Sequence, residues 1–147
     1  MPKTKWDSDS ECSVAISGTR RPLPDHRVAA IIAAVCRAEG SRGTISVTFL
    51  GRATMRHLNR KYLGHDYPTD VISFPLHGPD QVFGDIYICA SIAGQNARER
   101  GVPPQQEVVR LLVHAMLHIL GYNHPDDESR ERSPMWQRQE ALVRQLQ

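Results

Sequence analysis

The chain has 147 residues, 40% hydrophobic and 23% charged, the size and balance of one globular domain with its own core. Its formal net charge of +2 is too small to mark a nucleic-acid binder by charge alone. No stretch approaches the length of a membrane span, and the N-terminal MPKTKWDSDSECS lacks the apolar core of a signal peptide.

Residues 1–11 are polar and expected to be disordered. CSVAIS (12–17) reads as a first strand, and TRRPLP then breaks structure with two prolines. PDHRVAAIIAAVCRAEG places Val28, Ile31, Ile32 and Val35 at helical spacing and stops at Gly40. TISVTFLG (44–51) alternates and is β-branched, so a strand is expected. RATMRHLNRKYLG reads as a short helix with Met55, Leu58 and Tyr62 as its apolar stripe. Arg52, Arg56 and Arg60 line another face at i+4 steps. HDYPTDVISFPL gives a turn and then a strand from about Asp70 to Phe74. HGPDQV is a loop, FGDIYICA (83–90) a strand, and SIAGQNARERG a helix ending at Gly101. PPQQEVVRLLVHAMLHILG is a long helix with prolines at its start and glycine at its end, the expected asymmetry. MWQRQEALVRQL closes the chain as an amphipathic helix. No repeat or linker interrupts this order. It predicts a single α+β domain over 1–147, a mixed four-stranded sheet packed with helices, with a metal site at the end of a central helix.

Cys12, Cys36 and Cys89 are odd in number and widely spaced, which suggests neither a disulfide framework nor a CxxC metal site. Cys36 and Cys89 sit among apolar residues and read as small core fillers. With no leader or span in view, a cytoplasmic location is expected.

The segment HAMLHILGYNH, His114 to His124, carries three histidines inside an apolar stretch. On a helix, His114 and His118 lie about 40° apart in rotation and about 6 Å apart along the axis, so both rings reach one point. His124 joins them only if the helix ends and the chain turns back. Gly121 stands where that must happen, because glycine readily adopts the left-handed conformation that ends helices. Pro125 then discourages resumption of the helix at His124. Unpaired imidazoles on a helix that is apolar nearly all round would be costly, so a shared ligand is expected. Three neutral imidazoles suit Zn²⁺ with a fourth position left for water, the pattern of a catalytic site. Metzincin-type proteases share this spacing but place a glutamate after the first histidine, where this chain has Ala115. Peptide hydrolysis is therefore disfavoured. Asp126, Asp127 and Glu128 either orient the imidazoles or, as the favoured reading, form a solvated helix start.

HAMLHILGYNH, the upstream LNRKYLGHDYPTDVISFP, and GDIYIC together resemble the YbeY family of bacterial endoribonucleases and rRNA maturation factors. The resemblance covers roughly Val47 to the C-terminus. It implies one Zn²⁺ per chain held by His114, His118 and His124. It also implies cleavage of single-stranded RNA in 16S rRNA 3′-end maturation and ribosome quality control, with rRNA and ribosomal proteins as partners. The family's usual pattern has an activity-linked arginine directly after the tyrosine, where this chain has Leu63 after Tyr62. Arg60 lies three residues before Leu63 and is the expected substitute for that charge; Ala115 in place of the family's common glycine is small for small. Arg56, Arg60, Asp70 and Ser73 are the expected substrate contacts, although the arginines also read as a solvated face and Asp70 as a turn former. Leu63 keeps open a ribosome-assembly factor that acts mainly by binding RNA and ribosomal protein.

Overall fold

The β-branched and alternating runs pair into one sheet. Its strands are β1 (Cys12–Gly18), β2 (Gly43–Leu50), β3 (Val71–His77) and β4 (Val82–Cys89), in the order β1-β2-β4-β3. β1 and β2 run parallel, as do β2 and β4, while β3 pairs antiparallel with β4 in the register Val71↔Ile88 to His77↔Val82. The sheet is therefore mixed, as the sequence predicts. The computed structural model describes residues 12–77 and 81–147, so the expectation for residues 1–11 lies outside the described residues, as do residues 78–80 of the expected HGPDQV loop, whose ends His77 and Val82 belong to strands.

Five α-helices connect and cover the strands: α1 (Asp25–Ala38), α2 (Arg52–Leu63), α3 (Ala90–Arg100), α4 (Pro104–Ile119) and α5 (Pro134–Leu146). α1 has an acidic residue in its first turn and a basic one in its last, both favourable to the helix dipole. It buries Val28, Ile31, Ile32 and Val35, the expected stripe, and Cys36 beside them. α4 starts with proline at its first turn and is buried nearly all round. It packs against β3, β4, α1, α3 and α5, which makes it the central helix.

Side chains alternate across each strand. Ile45, Val47, Phe49, Ile86 and Ile88 face the main core with α1, α4 and α5. Each such fully buried side chain stabilises the fold by about 1.5–3 kcal/mol. The opposite parity, Ile72 and Cys89, forms a smaller cluster with Met55 of α2. The expected stripe of α2 is thus only partly inward, for Met55 is fully buried while Tyr62 is 54% exposed. Gly84 of β4 lets the end of α4 come close, since a Cβ there would lie 2.6 Å from Ile119 Cδ1. That approach seats the histidine-bearing turn against the sheet.

The cysteine reading needs one correction. Cys12 and Cys36 form a disulfide, with Cα atoms 6.3 Å apart. β1 begins beneath the last turn of α1, a contact across 24 residues that spacing in the sequence does not reveal. Cys89 is free and buried, as expected.

Candidate metal centre

α4 ends at Gly121 in the way its sequence requires. Gly121 has φ 101°, in the left-handed region. Its N–H donates to the His118 carbonyl at 3.0 Å, and the Tyr122 N–H donates to the Leu117 carbonyl at 2.9 Å. This pair of bonds satisfies carbonyls that a helix end leaves open. The Tyr122 hydroxyl then donates to Glu39 at the end of α1, and Arg138 of α5 pairs with the same carboxylate at 2.8 Å. The turn is pinned from two sides, and the chain reverses to carry His124 back.

The three rings meet. Their centroids are 4.6 Å (His114–His118), 5.2 Å (His114–His124) and 4.9 Å (His118–His124) apart. Ligand atoms from the three lie within 4.8 Å of one another. In each ring Nδ1 is already engaged by oxygen. His114 Nδ1 faces Gln139 Oε1 at 2.7 Å, His118 Nδ1 faces the Tyr122 carbonyl at 3.1 Å, and His124 Nδ1 faces the Pro125 carbonyl at 2.9 Å. Those oxygens only accept, so in its neutral form each ring carries its proton on Nδ1 and keeps Nε2 free for a ligand. Burial pushes His114 down to about 4, against its Gln139 acceptor, with His118, Arg130 and His124 adding to the fall. Burial and the neighbouring His124 also lower His118. Burial thus favours the neutral form of His114 and His118, and converging imidazole nitrogens are the donor set a divalent transition metal requires. The three histidines could hold such an ion.

A groove of about 590 Å³ opens at the rings and is also lined by Leu63, Ser73, Pro75 and Asn123. A smaller cavity of about 80 Å³ lies against His114 and contains Asp70, Glu107, Arg100, Arg110, Arg130 and Gln139. Of the expected contacts, Ser73 lines the groove. Asp70 lines only the smaller cavity, and both its oxygens are used: Oδ1 accepts from Val71 N at 2.8 Å and Oδ2 from Asn96 at 3.0 Å. Arg56 is held bidentate on Asp66 at 2.9 and 3.0 Å, and Arg60 lies 3.7 Å from the same carboxylate. Neither lines the groove, whereas Leu63 does. Arg52 bridges to Ser91 and Gln95 of α3. Asp127 caps a 3-10 helix (Glu128–Arg132) by accepting from Ser129 N, as the solvated-start reading expects. Asp126 is fully exposed, 3.9 Å from His124 Nδ1.

Sequence reasoning missed Gln139 and Arg130. Gln139 is buried within the apolar stripe Met135, Leu142, Val143 of α5. A glutamine interrupting a buried helical stripe was the available signal. Arg130 had none, because its position depends on a 3-10 helix that lacks hydrophobic periodicity.

Fold and site together define an α+β domain built around a three-histidine centre able to hold a metal ion at the end of its central helix. The model of the family described as Endoribonuclease YbeY matches residues 19–147. The chain belongs to that family. The endoribonuclease YbeY of Chlorobium luteolum is 36% identical over 129 residues, 87% of this chain and 93% of that protein. That of Halorhodospira halophila is 36% identical over 124 residues, 80% of each chain. The solution structure of TM1509 from Thermotoga maritima is similar with a TM-score of 0.67 and 27% identity, covering 91% of this chain and 89% of that one.

Proposed function

We propose that this chain is a zinc-dependent endoribonuclease that cuts single-stranded RNA, with one Zn²⁺ per chain on His114, His118 and His124. Its setting is the cytoplasm, in 16S rRNA 3′-end maturation and ribosome quality control, among rRNA and ribosomal proteins. The observation that carries the reading is the convergence of three imidazoles, one ring nitrogen of each within 4.8 Å of the others, beside an open groove. Nitrogen donors in an open three-ligand site favour zinc. Held by His114, His118 and His124, a zinc ion would supply Lewis acidity toward a phosphate oxygen and toward a water molecule near neutral pH. The chain's own groups do the rest. Ser73 offers a hydroxyl to the backbone lying in the groove. Arg130 lines the cavity against His114, and its charge reaches both His114 and His118. Among the described residues no carboxylate lies within 4.0 Å of its side chain, so this guanidinium is available for a phosphate. Tyr62, exposed beside Leu63 and packed edge-on to Phe74 at 5.4 Å, offers a ring on which an unpaired base stacks. Ala115, 1% exposed and facing the core, supplies no general base of the protease kind.

Leu63 at the groove favours a second reading, a ribosome-assembly factor that binds RNA and ribosomal protein with little catalysis. Titrating cleavage of an end-labelled single-stranded RNA against the protein separates the two. Expected are cleavage that disappears with chelator, returns with zinc, and spares the same RNA annealed to its complement. Cleavage equal in wild type and His114→Ala would instead belong to a contaminant and leave the binding role.

A further inference from the structure

Two of the three histidines are oriented by backbone carbonyls, those of Tyr122 and Pro125. Only His114 is oriented by a side chain, Gln139, which is 2% exposed. An amide can present either its oxygen or its nitrogen, so something must decide which end faces the ring. Gln139 Nε2 donates to Glu140 Oε2 at 3.1 Å. Arg110 holds that carboxylate from α4, with Nη2 donating to Oε1 at 2.8 Å and Nε to Oε2 at 3.2 Å. Turning the amide over would set its oxygen against the carboxylate and its NH₂ against the imidazole N–H. Both contacts would be lost at once.

We infer that Gln139, its amide locked by Glu140 and Arg110, is a positioning residue that fixes the tautomer of His114 and aims its Nε2 at the metal. The donors run one way: Arg110 and Gln139 into Glu140, and His114 into Gln139. Burial alone would raise the Glu140 carboxyl, but the Arg110 pair and the Gln139 amide hold it below the ordinary carboxylate range, so it stays an acceptor. Partners beyond the direct ligands commonly matter 10–100-fold in metal affinity, because a ring free to rotate or change tautomer loses alignment. The inference rests on the metal-centre reading above.

The test is zinc affinity by competition with a chromophoric chelator, together with imidazole ¹⁵N shifts of the metal-free protein. Wild type is expected to show His114 protonated on Nδ1. Gln139→Leu is expected to mix the tautomers and to weaken zinc about 10-fold or more. The charge-conserving exchange Gln139→Glu with Glu140→Gln restores an acceptor at His114 and is expected to recover most of the affinity. Glu140→Ala, at the partly exposed end of the chain of bonds, frees the amide and is expected to lower affinity by a smaller factor. It decides the matter should Gln139→Leu not fold. Unchanged tautomer and zinc affinity in a folded Gln139→Leu or in Glu140→Ala would overturn the inference. Wild type binding zinc no better than His118→Ala would instead overturn the metal centre itself.

Discussion

Leu63 stands half-exposed on the rim of the histidine groove, where phosphodiester cleavage would place growing negative charge. A well-placed charged donor at such a point is worth on the order of 10²-fold in rate. Leu63→Arg is therefore expected to raise cleavage of single-stranded RNA. Arg130→Ala is expected to lower it by about 10-fold or more, because that guanidinium lines the cavity against His114 with no carboxylate among the described residues to hold it. Arg60→Ala is expected to cost less, since Arg60 lies 3.7 Å from Asp66 and is not among the residues lining the groove. Steady-state rates of the three folded, zinc-loaded variants check the order. A loss in Arg60→Ala larger than in Arg130→Ala would move the phosphate-binding charge back to α2. The histidine cluster was legible because its pattern is local, with three imidazoles falling inside eleven residues. Gln139 reaches His114 from 25 residues away, a distance no local pattern spans.

The end of α4 is the element on which the site depends. Apolar spacing, proline at the start and glycine at the end marked it clearly in the sequence, and the boundaries fell within a residue or two. Gly121 shows the positive φ that the return of His124 demanded. Gly121→Val forces a β-branched side chain into that conformation, at a cost of about 1–3 kcal/mol. A lower melting temperature and weaker zinc binding are both expected, read by thermal unfolding and chelator competition. A variant that keeps wild-type zinc affinity would show that the turn can be made without glycine. The Cβ itself meets no atom within 4 Å, so the expected cost lies in the positive φ. The 3-10 helix after His124 was not legible beyond its start, because five polar residues carry no hydrophobic period.

At the scale of the molecule, the class of fold followed from the order of strands and helices, but the strand order did not. Placing β4 between β2 and β3 is a choice among long-range pairings that similar apolar runs leave open. The Cys12–Cys36 bond escaped for the same reason, since it joins the first strand to the end of α1. The whole arrangement converges on one claim: sheet, central helix and closing helix hold three imidazoles with bare nitrogens facing one point. Elemental analysis of the purified chain tests it most directly. The expected result is about one zinc per chain in wild type and little in His118→Ala, with the variant still folded. Equal zinc in the two proteins would contradict the account.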